Sequence, residues 1–98
     1  MAQFDLFWTT EGELVIDCQA DLLSVYNTRI VVPLLELHPS LPAMSRLNPR
    51  FKIDGRERQM MTEFLAAVPV RSLKSSAGSL RNEEYTIKAA LDMLMSGF

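Results

Sequence analysis

The chain has 98 residues, 48% of them hydrophobic, with ten Lys+Arg against twelve Asp+Glu for a formal net charge of −2. That length fits one compact domain, read here as residues 1–98, which buries about two-thirds of the surface an unfolded chain exposes. The slightly acidic balance excludes a general nucleic-acid binder, which needs a basic field to recruit phosphates; a single Cys18 and a single His38 exclude an internal disulfide and a His/Cys metal cage.

A small domain without those staples gains stability from a partner subunit, so a homodimer is expected. Met1-Ala2-Gln3-Phe4-Asp5 lacks the basic-then-apolar pattern of a secretory signal, and the longest apolar run, Ile30 to Leu35, is too short to span a bilayer. A cytoplasmic protein that does not enter a membrane follows as the expectation, with Cys18 as a small core residue.

Along the chain, Phe4, Leu6 and Trp8 alternate with Gln3, Asp5 and Phe7, which predicts a first strand. The polar stretch Thr9 to Glu13 reads as a hairpin connection into a second strand, in which Leu14, Ile16 and Cys18 alternate with Val15, Asp17 and Gln19. Thr28 to Leu35 is rich in β-branched residues and predicts a third strand, whose Pro33 places that end at an edge or a bulge. His38 to Pro49 holds three prolines and reads as loop, with one helical turn around Ala43 to Leu47.

Asp54-Gly55, between Arg50–Ile53 and Arg56–Thr62, is the sharpest hairpin signal in the chain. Val68-Pro69-Val70 predicts a short edge strand, and Ser72 to Ser79 reads as an exposed loop. From Asn82 the period changes: Ile87, Ala90, Leu91, Leu94 and Phe98 mark one face of a helix. Asn82 or Ser79 is positioned to cap it, Glu83 and Glu84 suit its dipole, and Gly97 is placed to end it. The predicted class is mainly β (α+β): a small antiparallel barrel or sheet with one C-terminal helix.

The chain carries no Walker loop, no dinucleotide-binding glycine pattern and no metal-ligand spacing, so no cofactor or metal is expected. Cys18 and His38 fall on a strand and in a proline-rich loop, a poor arrangement for a nucleophile and its base. Arg46, Arg50, Lys52, Arg56 and Arg58 form a basic middle section, read as the solvated face of a hairpin and offset by Asp54 and Glu57. Met60, Met61, Met93 and Met95 suit either a soft, adaptable binding surface or core packing, which explains most of them equally well, with Met95 the best placed for exposure. The ending Leu94-Met95-Ser96-Gly97-Phe98 closes on an aromatic residue. Such a residue is either folded into a core or presented to a partner, and Leu22-Leu23 poses the same choice.

An ordered set of segments resembles the CcdB toxins of toxin–antitoxin operons. It comprises Gln3-Phe4, Asp17-Cys18-Gln19-Ala20-Asp21-Leu22-Leu23, Thr28-Arg29-Ile30-Val31-Val32-Pro33-Leu34 and Ile53-Asp54-Gly55. It continues through Met60-Met61-Thr62, Ala67-Val68-Pro69-Val70, Leu80-Arg81-Asn82, Ile87-Lys88-Ala89-Ala90-Leu91 and Ser96-Gly97-Phe98. The resemblance implies an SH3-like barrel with a C-terminal helix, a symmetric dimer, and a toxin that is not an enzyme. Such a toxin binds the A subunit of DNA gyrase and traps it on cleaved DNA. It further implies a CcdA-like antitoxin that wraps the toxin with a disordered segment, and operator DNA bound only through the antitoxin complex as a repressor.

The gyrase-contacting positions of the family fall on Leu22, Leu23, Asp92, Met95, Ser96, Gly97 and Phe98. Asp92, Met95 and Ser96 stand three and four apart and so share a helix face. The family's best-known pattern carries Trp at the place of Ser96 and an aliphatic residue at the place of Phe98, which moves the anchoring role toward Phe98. Two alternatives stand beside the gyrase reading. One is a MazF-type endoribonuclease, with Arg29, Arg46 or Arg56 on the phosphate and Asp17 or Glu36 as acid/base. The other is an antitoxin-binding relic without toxicity.

Overall fold

The computed structural model describes residues 2–41 and 44–97. Among them lie seven strands: β1 (Asp5–Thr9), β2 (Leu14–Asp17), β3 (Thr28–Glu36), β4 (Arg50–Ile53), β5 (Arg56–Met60), β6 (Ala66–Pro69) and β7 (Leu73–Ser79). One α-helix, α1 (Glu84–Ser96), follows them. The strands run in the order β4-β5-β3-β2-β1-β7, with β6 also paired to β3. Every pairing is antiparallel, and the sheet curls into an SH3-like half-barrel.

The Asp54-Gly55 hairpin forms as expected. Asp54 (φ 52°) and Gly55 (φ 81°) both take the left-handed conformation that a two-residue turn between right-twisted strands requires. β5 stops at Met60, and Thr62–Phe64 continues as a 3-10 turn. The expected strand around Val68-Pro69 appears as β6, while Val70 opens a further turn.

Pro33 is not at an edge. β3 is the central strand, with β2 on one side and both β6 and β5 on the other. β6 pairs with Thr28 to Val31 and β5 with Leu34 to Glu36, so Pro33 occupies the break between the two partners. Its carbonyl accepts from the Met61 N–H at 3.0 Å, so the acceptor at this junction is satisfied although Pro33 has no donor to give.

The largest correction concerns Ser72 to Ser79, read as a loop. Ser72 ends a 3-10 turn, and Leu73–Ser79 is β7, paired along β1 through two register shifts. Only Leu73 of this strand is buried, and its small polar run carries no apolar alternation. Pairing with β1 supplies what propensity does not. Phe4 also departs from the strand reading: it precedes β1 at φ 72°, with its ring buried. Its N–H donates to the Asp17 carbonyl and its carbonyl accepts from Leu80 N–H at 2.8 Å, ties that hold this unusual backbone in place.

Alternation fails along β2 as well, because all four of its residues are buried. Leu14 and Ile16 join Phe4, Leu6, Val32, Leu34, Met60 and the helix residues Ile87 and Ala90 in the main core. Val15 packs on the other face with Phe7, Val31 and Leu73. The helical turn expected at Ala43 to Leu47 is present as a bond from Asn48 N–H to the Met44 carbonyl at 2.7 Å, while Ala43 lies outside the described residues.

A 3-10 turn, Arg81–Glu83, leads into α1; its N-cap position is Leu80, with no side-chain cap, and Ser79 Oγ just before it accepts from Arg81 N–H at 3.1 Å. Asn82 does not cap α1, which starts without a side-chain cap. Gly97 ends the helix at φ 78°, its N–H bonded to the Met93 carbonyl at 2.9 Å, the left-handed stop that glycine adopts without a Cβ penalty.

Candidate functional site

Between β2 and β3 the chain leaves the sheet for a 3-10 turn, Asp21–Leu23, that buries none of its own residues. Leu22 is 88% exposed and Leu23 43%. The same loop exposes Val25 and Tyr26, which the sequence reading passed over. Two apolar residues between Ser24 and Asn27, in a segment with no strand or helix period, were the available signal.

What holds this apolar knob is polar. At its start, the Asp21 carboxylate accepts from Gln3 N–H at 2.7 Å and from Arg81 Nη2 at 3.3 Å. The Gln3 hydrogen bond foremost, and then Arg81, hold the Asp21 carboxyl below its ordinary pKa. At its end, Gln19 Nε2 donates to the Leu23 carbonyl at 2.9 Å. Beneath it, Arg29 donates from Nε (2.9 Å) and Nη2 (2.6 Å) to Asp17 Oδ2, with both side chains sealed from water.

The last turns of α1 run beside this loop. Cys18, Gln19, Ala20, Leu23 and Ile30 together with Leu65 and, from α1, Leu91 and Met95 line a shallow, mostly apolar groove of about 410 Å³. Leu23 and Met95, 72 positions apart by number (95 − 23), thus meet across one groove. Met95 is 77% exposed, and Asp92, Ser96 and Gly97 are exposed with it. The structure therefore brings Leu22 and Leu23 to the same end of the molecule as the helix terminus. Phe98 lies outside the described residues. Tyr85, in the first turn of α1, is a further exposed aromatic that the periodicity of the buried stripe did not single out.

The residues considered for chemistry are used otherwise. Burial foremost, and then the neighbouring Asp17, push the Cys18 thiol up to about 12, which disfavours the thiolate at neutral pH. His38 bonds its own loop, with Nδ1 2.6 Å from Ser40 Oγ. Arg29 and Asp17 are closed to solvent and cannot face an RNA phosphate. Arg50, Lys52 and Arg56 are exposed on the hairpin, as expected, with Arg56 paired to Glu36 at 2.9 Å in the open, but Arg58 is largely covered. Arg58 bonds the Leu34 carbonyl and lies 5.5 Å over the Trp8 ring. Met60 and Met61 are fully buried and Met95 is the exposed one of its group.

A family model for the CcdB protein matches residues 3–97. The chain belongs to the CcdB family. It is thereby a toxin of a toxin–antitoxin system, and the curled antiparallel sheet with its C-terminal helix agrees with that assignment. Among the described residues no helix is long and apolar enough to cross a membrane. In this CcdB chain the groove beside the Asp21–Leu23 turn and the end of α1 gathers exposed aliphatic side chains, with Leu22 and Met95 the most open of them.

Proposed function

We propose that this chain is a non-enzymatic gyrase poison. Its single domain dimerises, docks on the gyrase A subunit through Leu22, Leu23, Asp92, Met95, Ser96, Gly97 and Phe98, and traps the enzyme on cleaved DNA. The observation that carries the reading is the meeting of Leu23 and Met95 across one apolar groove, with Leu22 projecting beside it. An exposed aliphatic pair held by a polar frame, sealed at Arg29–Asp17 and open at Asp21–Arg81, is suited to a contact made with little reorganisation. Two copies related by a two-fold axis would double that surface to match a symmetric target. In the cytoplasm a CcdA-like antitoxin, wrapping the toxin with a disordered segment, would compete for it and, as a complex, repress the operon on operator DNA.

Titration of immobilised gyrase A subunit with the purified protein tests the reading. Wild type binds, and Leu22→Arg, which places a charge in the contact without touching the core, loses at least about tenfold in affinity. Equal binding by the two would reject the surface.

Ser96 favours a second reading, an antitoxin-binding form without toxicity, because a Ser at the helix end offers little of the area a large aromatic brings. Overexpression in a susceptible bacterium separates the two, since the second predicts unimpaired growth.

A further inference from the structure

No side chain of the Asp21–Leu23 turn is fully buried, and Leu23 is partly covered, in the groove. Packing alone holds the turn weakly, so the bonds made to it matter. At the site where β2 ends, Cys18 N–H donates to the Ile30 carbonyl at 2.8 Å, the last backbone rung toward β3. One residue further on, the side chain of Gln19 takes over. Its Oε1 accepts from Ile30 N–H at 3.1 Å while its Nε2 donates to the Leu23 carbonyl at 2.9 Å.

A primary amide is the side-chain equivalent of a peptide unit, one acceptor and a donor on one planar group. Gln19 thus adds a rung that joins the central strand to the end of the turn. Its own N–H is fixed by Asp17 Oδ1 at 3.0 Å, and Asp17 is in turn fixed by Arg29. The order is linear: Arg29 orients Asp17, Asp17 orients the Gln19 backbone, and the Gln19 amide sets Leu23.

We propose that Gln19 is a positioning residue for partner recognition, holding Leu22 and Leu23 at the height and angle at which they meet a partner. This rests on the gyrase reading above for the identity of that partner. Neither neighbouring residue type does the same job. Asn is one methylene too short to reach both Ile30 and Leu23. Glu keeps an acceptor but, when ionised, presents no donor to the Leu23 carbonyl.

The test compares Gln19→Met, Gln19→Glu and a second-core variant, Leu73→Ala or Val68→Ala, chosen for equal loss of global stability. Two readouts are taken on the whole protein. The first needs no partner: amide hydrogen exchange of Leu23 and Ser24, whose N–H groups bond Ala20 and Asp21 carbonyls within the turn. The second is affinity for the gyrase A subunit, with Leu22→Arg alongside.

Both Gln19 variants should raise exchange at Leu23 and Ser24 about tenfold relative to the stability-matched control, the size expected of one lost neutral hydrogen bond. They should weaken gyrase binding by a similar factor, while the control binds like wild type. Unchanged exchange in the variant that folds overturns the proposal whatever gyrase does. Raised exchange with wild-type affinity, while Leu22→Arg abolishes binding, overturns it too, because the order of the turn is then irrelevant to recognition. If Leu22→Arg also binds normally, the gyrase reading fails instead, and raised exchange still supports Gln19 as the residue that holds the turn.

Discussion

Arg29 directs both Nε and Nη2 at a single oxygen, Asp17 Oδ2, and neither side chain exposes more than 1% of its surface. The second carboxylate oxygen of Asp17 is thereby left for the Gln19 backbone. Removing one member of such a pair strands the other charge in a dry site. Arg29→Met alone should therefore cost about 3–5 kcal/mol. Asp17→Asn should cost a similar amount, and the double variant should cost clearly less than the sum, since the two residues act as one unit. Denaturant unfolding of the four proteins measures it; additive losses would show that the two residues act independently.

Cys18 has a thiol raised from 9.0 to about 12, chiefly by burial. At pH 8 its thiolate fraction in the folded state should fall about a thousandfold below that of the unfolded chain, and its reaction with a disulfide reagent should slow accordingly. The sign of the linkage follows. The folded pKa lies above the unfolded one, so this contribution to stability is complete below about pH 9 and is lost as pH rises toward about 12. Cys18→Ala should lose less stability than wild type across that window. Rapid labelling of the native thiol at pH 8 would contradict the burial argument.

Asp21 runs the other way. Its carboxyl is held below 3.8, first by the Gln3 N–H and then by Arg81. The charged form thus stabilises the fold at pH values above the unfolded pKa, and that contribution disappears as the pH falls through the lowered folded value. Asp21→Asn should shallow the acid limb of the stability curve and leave its alkaline side unchanged, as read by thermal melts at a series of pH values. An unaltered acid limb would mean that the Gln3 and Arg81 contacts are not maintained in solution.

Much of the fold is legible in the residues, for reasons that differ from element to element. Asp54-Gly55 declares its hairpin because few other pairs accept two consecutive left-handed residues. α1 shows itself through Ile87 and Ala90, buried one turn apart. β7 was illegible because Lys74 to Gly78 packs little, and its strand state comes from a long-range pairing with β1. The alternation of Val15, Asp17 and Gln19 with Leu14, Ile16 and Cys18 shows a strand but not its burial on both faces, because nothing local tells of the second cluster around Phe7 and Leu73 or of the ion pair with Arg29.

The candidate site divides in the same way. Leu22 and Met95 are conspicuous as apolar residues in polar or terminal settings, so their exposure was open to a sequence reading. The Gln19 amide that ties down the turn was not, since one glutamine on a strand end carries no periodic signal.

The two faces of α1 should separate stability from activity. Ile87 is fully buried in the main core, and Ile87→Ala should cost about 2–5 kcal/mol through the cavity it leaves. Met95→Ala, on an exposed position, should change stability by less than about 0.5 kcal/mol. Denaturant titrations measure both. A large loss for Met95→Ala would place that side chain in a packing role and weaken its assignment as a contact.

The most direct test of the central claim is a gyrase cleavage assay on supercoiled DNA, read as linear DNA released after detergent and protease. Wild type should raise the linear product in a dose-dependent way. Phe98→Ala and Met95→Arg should lower that yield at least about tenfold, with melting temperatures within about 2 °C of wild type. A wild-type protein that releases no linear DNA, or terminal variants that poison gyrase as well as wild type does, would contradict the account.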